Sequence, residues 1–206
     1  MIELYAATVQ RLPTRDVLFS LLDPAWRLAW EARHPIVKNE TVARQSLAGL
    51  CLLSAAGARG ELTYAENGRP FLVGEALDFN ISHTEGLVVC AVERDEVSPR
   101  VGIDAEALEH VKALPYAALA ARWCSKREQA LFASNPTAEC FLRLWTRKEA
   151  LIKYSGEGLC GLRNADTVVA EEGDIRFAEY WCEDHLVTLC HSARRVVPQE
   201  IAVIKL

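Results

Sequence analysis

No apolar run in this 206-residue sequence approaches the roughly 20 residues of a membrane-spanning helix, since even Leu47 to Ala56 is broken by Gly49 and Ser54. Met1–Tyr5 lacks the basic and apolar segments of a signal peptide, so none is expected. A positive excess is missing too: 28 acids against 23 bases leave a net charge of −5, which argues against a protein that coats nucleic acid. Any polyanionic ligand must then be held locally. C-x-x-C pairs are absent, and the seven cysteines are odd in number and scattered. They read as reduced core residues of a cytosolic, cytoplasmic protein rather than as a disulfide framework. Glycine and proline, 11 and 8 residues, are too few for a collagenous or low-complexity chain. What is present, half apolar and a quarter charged residues, suits one large domain or two small fused ones.

The patterning predicts an α+β protein. Ile2 to Val9 reads as a strand, and Asp23-Pro24 opens a short helix through Trp26, Leu28 and Trp30. Asn39 caps a longer helix that ends near Gly57 and carries Arg44 as its one base. After the Asn67-Gly68 turn, Leu77, Phe79 and Ile81 alternate with Asp78, Asn80 and Ser82. Leu87 to Val92 has the length of a buried strand, and beyond a polar loop ending at Pro99, Val101 and Ile103 alternate with Gly102, Asp104 and Glu106. Three consecutive strands of one antiparallel sheet are the simplest expectation. In the second half Ser125–Glu128 fits a capping box, and Asn135-Pro136 opens a long helix through Trp145 and Ala150 to a stop at Ser155-Gly156. Strands are expected around Val168-Val169, Ile175 to Trp181, Leu186 to Cys190 and Ile201 to Ile204. Each half thus offers a long helix and an antiparallel sheet, giving two similar lobes, 1–98 and 99–206, joined near residues 93–100.

Asp104, Glu106 and Glu149 are the most informative residues. Alternation along a strand puts Asp104 and Glu106 side by side on one face, where two carboxylates repel. That repulsion is tolerable on a solvated edge, or it is reversed by a hard divalent cation such as Mg²⁺ that also borrows phosphate oxygens. Glu149 and Lys153 share a helix face at i and i+4, as a simple surface ion pair also would. Asn80, Ser82 and His83 stand near the end of a buried strand, where donors could grip an anion or an adenine edge. Arg44 and Arg69 are further candidate cations. Cys182, His185, Cys190 and His191 invite a zinc reading, but their spacing follows no zinc-site rule.

Four ordered blocks, Asn67-Gly68-Arg69-Pro70, Phe79-Asn80-Ile81-Ser82-His83, Val101-Gly102-Ile103-Asp104-Ala105-Glu106 and Leu144 to Lys153, resemble the signature of 4′-phosphopantetheinyl transferases of the surfactin-synthetase-activating type. The resemblance implies transfer of the phosphopantetheine arm of coenzyme A to a serine of an apo acyl or peptidyl carrier protein. It implies Mg²⁺, for which Mn²⁺ could substitute, on Asp104, Glu106 and Glu149. Glu149 or Glu106 would be the base, and Lys153 an added cation. It puts Arg44 and His83 on the coenzyme A phosphates, with Arg69, Pro70 and Ser82 around the nucleotide. Arg69 departs from the usual Lys, preserving charge but changing donor geometry, and Arg122–Glu128 matches only in part. Lys112, Arg122, Lys126 and Arg127, with Leu114 and Tyr116, are the candidate surface for an acidic carrier. No nucleic acid or membrane partner is expected, and the chain is expected to act as a monomer. A metal-dependent phosphodiesterase or pyrophosphatase using the same acids, or a non-catalytic coenzyme A-binding module, are the competing expectations.

Overall fold

The structure, a computed structural model, describes residues 1–94, 100–158 and 161–206. The loop ending at Pro99, most of the expected join near 93–100, and Cys160 therefore lie outside the described residues. The chain runs through β1 (Ile2–Thr8), α1 (Arg15–Leu21), α2 (Pro24–Arg33), α3 (Glu40–Ala55), β2 (Glu61–Tyr64), β3 (Pro70–Val73), β4 (Leu77–Thr84) and β5 (Leu87–Arg94). There follow β6 (Gly102–Ala107), α4 (Leu108–Lys112), α5 (Tyr116–Trp123), α6 (Lys126–Ser134), α7 (Ala138–Ser155), α8 (Thr167–Glu172), β7 (Ile175–Cys182), β8 (His185–Ser192) and β9 (Ala202–Val203). Among these, no helix is long and apolar enough to cross a membrane.

The α+β class is as expected, and the strands assemble into a sheet β4-β5-β1-β9, a sheet β6-β8-β7 and a separate β2-β3 hairpin. Three expectations are corrected. First, β6 does not continue the sheet of β4 and β5: it pairs with β8, Asp104 opposite Thr188 and Glu106 opposite Leu186. Its apolar face, Val101, Ile103 and Ala105, then packs with Val187 and Leu189 against Ile2, Leu4, Ala6 and Val89 of the first sheet. Burying such a side chain contributes about 1.5–3 kcal/mol, so this inter-sheet core outweighs the local tendency to extend a meander. Second, Val168 and Val169 lie in α8, because the Asp166 carboxylate accepts both their amides at 3.1 Å and starts a helix where β-branching favours a strand. Third, β9 lies in the first sheet, parallel to β1, with Tyr5 opposite Ala202 and Ala6 opposite Val203.

The two long helices position the rest. Asn39 caps α3 by accepting the amides of Thr41 and Val42 at 2.9 and 3.2 Å. Leu47, Leu50 and Leu53 of α3 then pack with Phe79 of β4. Thr137 caps α7, and Gly156, at a φ of 80°, ends it. α7 lies close against β6 because Gly102 has no side chain: a β-carbon there would run into the Ala150 carbonyl and lie 2.5 Å from the Tyr154 nitrogen. A fully buried ion pair, Lys148 Nζ to Glu128 Oε2 at 2.8 Å, ties α7 to α6. Glu128 also accepts from the Ser125 amide (2.7 Å) and from the amide and hydroxyl of Thr167 (2.9 and 2.8 Å), so the buried charge is fully solvated by protein.

Candidate active site between two edge strands

β4 and β6 are edge strands of different sheets, and they face each other without a backbone ladder. Side chains bridge the gap instead. The polar face of β4 supplies four successive rungs. Asp78 Oδ2 accepts the Val101 amide at 2.8 Å, and Asn80 Oδ1 accepts the Ile103 amide at 2.8 Å. Ser82 Oγ donates to Asp104 Oδ1 at 2.9 Å, and Thr84 Oγ1 donates to Glu106 Oε1 at 2.6 Å. The Val101 and Ile103 amides at this edge, which water would otherwise have to satisfy, thus find protein partners. The side chains of Asn80 and Ser82 meet β6, so neither is simply presented to a ligand.

Asp104, Glu106 and Glu149 line one cavity of about 360 Å³ together with Ser82, His83, Trp145 and Lys153. β6 contributes two acids by its alternation, and α7 contributes Glu149 and Lys153 from one helix face. Lys153 does not pair with Glu149. Its Nζ reaches across to Asp104 Oδ1 at 2.7 Å and Ser82 Oγ at 2.9 Å. Glu106 Oε1 is also met by the Ala107 amide at 2.9 Å and by His110 Nδ1 at 3.1 Å. Glu149 has no hydrogen bond or ion pair among the described residues. Burial first, and then the negative charges of Asp104 and Glu106, push its pKa above the ordinary glutamate value, against the pull of Lys153. Partial enclosure by the surrounding protein, although the residue stays exposed at the cavity mouth, and the Lys153 ammonium hold the His83 pKa below the ordinary histidine value, with Asp104 opposing.

The acids fit a hard cation in kind: three carboxylates bordering one cavity, mutually repelling, with one half-buried and unpartnered. They are not gathered as a preformed cage. Among the described residues no three His, Cys, Asp or Glu side chains form a metal cluster. The suggested zinc residues are otherwise engaged: His185 Nε2 lies 2.6 Å from the Glu85 carbonyl, Cys190 is buried, and His191 Nδ1 lies 2.8 Å from the Ser192 carbonyl.

Two further cavities adjoin this one. One of about 250 Å³ is lined by Arg69, Pro70, Asn80, Glu149 and Lys153, and one of about 390 Å³ by Arg33, His34, Tyr64, Pro70 and His83. Pro70, Lys153 and His83 all line these cavities. Arg69 lines the wall, but its guanidinium is spent within the protein. It pairs with Asp78 at 2.7 Å and donates to the carbonyls of Phe79, Val101 and Lys153. Arg44 lines none of these cavities and donates to the carbonyls of Pro13 and Leu12. Sequence reasoning missed Arg33 and His34, since the end of α2 carries no motif. The stacking of His34 on Trp30, ring centroids 4.6 Å apart, was the one legible hint, an aromatic spaced one helical turn before it. A larger cavity of about 550 Å³ lies beside β7 and β9, but its Glu179 is neutralised by Arg143 and Arg147.

Residues 100–199, which contain all three acids and Lys153, match the profile of the 4′-phosphopantetheinyl transferase superfamily. Over that stretch, just under half of the chain, the protein is similar to this superfamily. Three curated transferase relatives agree. The 4′-phosphopantetheinyl transferase HetI of Nostoc sp. is 29% identical over 160 residues, 73% of this chain and 65% of its own length. A putative 4′-phosphopantetheinyl transferase of Haemophilus influenzae is 35% identical over 101 residues, 48% of this chain and 42% of its own. The 4′-phosphopantetheinyl transferase AcpT of Salmonella typhi is 32% identical over 130 residues, 60% of this chain and 64% of its own. The matched stretch spans less than two thirds of each relative. Within the matched stretch, the candidate partner residues are unequal. Lys112 pairs with Glu109 at 2.6 Å and Arg127 with Glu172 at 2.8 Å. Arg122 and Lys126 form no ion pair among the described residues, and the Arg122 guanidinium lies 5.0 Å from the Trp123 ring. Tyr116 packs inward on Phe132 and Phe141, which explains its apolar neighbourhood without a partner.

Proposed function

We propose that the protein transfers the 4′-phosphopantetheine group of coenzyme A to a serine hydroxyl of an apo carrier protein, releasing adenosine 3′,5′-bisphosphate. The observation that carries this reading is the convergence of Asp104, Glu106 and Glu149, with Lys153, on one cavity, all four lying in the stretch similar to the superfamily. The serine oxygen forms a bond to the phosphorus on the pantetheine side. The bond from that phosphorus to the bridging oxygen breaks, and the nucleotide leaves with the electron pair. Asp104, Glu106 and Glu149 would hold Mg²⁺ or Mn²⁺, which supplies neutralisation of the pyrophosphate oxygens when bound. Glu149, unpartnered where Glu106 Oε1 already has three partners, is the better placed of the two candidate bases for the serine proton. Lys153 adds positive charge at the cavity wall, and His83, Pro70 and Arg33 border the space we assign to the nucleotide. Arg69 serves there by fixing the wall rather than by touching the ligand, and Arg44 braces the extended Leu12-Pro13 segment. Arg122 and Lys126 offer unneutralised charge to an acidic carrier.

The test is product analysis with the protein, coenzyme A, Mg²⁺ and an apo carrier. Stoichiometric gain of mass on the carrier with release of adenosine 3′,5′-bisphosphate is expected. Cleavage of coenzyme A when the carrier is omitted would assign a phosphodiesterase or pyrophosphatase instead. Coenzyme A binding with neither product would assign a binding module.

A further inference from the structure

Glu106 is held by one of its two oxygens. Oε1 accepts from Thr84 Oγ1, from the Ala107 amide and from His110 Nδ1, at 2.6, 2.9 and 3.1 Å. Of these three, Thr84 alone comes from the opposite sheet, and it is buried. Thr84 ends β4 opposite Leu87, at the turn Glu85-Gly86, and that turn is fastened from three directions. Gln45, a buried residue of α3, donates through Nε2 to the Thr84 carbonyl at 2.7 Å. His185 Nε2 of β8 meets the Glu85 carbonyl at 2.6 Å, and the Val9 amide donates to the Gly86 carbonyl at 2.9 Å. Gly86 has a φ of 97°, and a β-carbon there would lie 2.9 Å from His185 Nε2, so the turn can neither shift nor take a side chain freely. A buried amide such as that of Gln45 costs free energy unless its bonds are made, and here it is spent on holding backbone next to the acid.

We infer that Thr84 is a positioning residue: its hydroxyl fixes the Glu106 carboxylate so that Oε2 is left for a divalent cation, and Gln45 fixes Thr84. The inference rests on the reading of Glu106 as a metal-binding acid. Oxygen ligands gain affinity when an outer hydrogen bond sets their orientation, and loss of such a partner typically costs about 10–100-fold in metal affinity.

The test is titration of the full chain with Mn²⁺ in the presence of coenzyme A, free Mn²⁺ being read by electron paramagnetic resonance and folding by thermal melting. Thr84→Val should weaken Mn²⁺ binding by about tenfold or more, and Thr84→Ser, which keeps the hydroxyl, should restore it. Gln45→Met should give a smaller loss in the same direction, and it carries the test if Thr84→Val fails to fold. Wild-type affinity in Thr84→Val, or a loss in Thr84→Ser equal to that in Thr84→Val, would overturn the positioning role while leaving the metal reading intact. Absence of Mn²⁺ binding by the wild-type protein would overturn the metal reading, and this inference with it.

Discussion

Glu149 illustrates how a side chain proposed for function works against its own fold. Its raised pKa means that the folded state favours the protonated acid, because burial and two neighbouring carboxylates oppose the charge. The sign of the linkage follows: the ionised group destabilises the fold fully above the folded-state pKa, and the penalty fades as pH falls towards the unfolded-state value. Glu149→Gln should therefore raise the melting temperature at neutral pH while abolishing carrier modification, and the gain should shrink in acid. A melting series against pH, paired with the carrier mass assay, checks both. Lys148, one residue earlier, behaves oppositely. Lys148→Ala leaves Glu128 charged and buried without its cation, and should cost about 3–5 kcal/mol in urea unfolding. The sequence makes Glu149 and Lys153 legible through their i, i+4 spacing. It hides the burial of Lys148, since nothing local shows that Glu128, twenty residues away, is its partner.

At the scale of elements, the polar face of β4 was visible as alternation, but its use was not. A strand with Asp78, Asn80 and Ser82 on one side reads as half-solvated. In the structure that side meets the edge of another sheet, and the alternation supplies bonds that a ladder would have made. Asn80→Ala should leave the Ile103 amide unpaired and cost about 1–3 kcal/mol, with faster hydrogen exchange at Ile103 as the local sign. Gly102→Ala should be worse, because the added carbon meets backbone of α7 that cannot yield, and it should lift Glu149 away from β6. Loss of Mn²⁺ binding together with a lowered melting temperature would report this. The misassigned strand at Val168-Val169 has the same lesson in reverse. One aspartate, accepting two amides, decides the element against two β-branched residues.

Across the whole molecule, the β6 pairing and the return of β9 to the first sheet depend on contacts between residues far apart in the chain, which periodicity cannot encode. The acids and lysine of the candidate site are nonetheless legible, because they sit at alternating spacing on β6 and at helical spacing on α7, both in the second half. Partner recognition belongs to this scale. Arg122 is unneutralised among the described residues, whereas Lys112 already has Glu109. Arg122→Glu should thus raise the KM for an acidic carrier severalfold with little change for coenzyme A, and Lys112→Ala should do much less. The measurement that bears most directly on the account is anomalous diffraction from crystals of the protein grown with Mn²⁺ and coenzyme A. One manganese peak within coordination distance of carboxylate oxygens from Asp104, Glu106 and Glu149 together is the predicted result. A peak bound elsewhere, or one that only a single one of these acids touches, would contradict it.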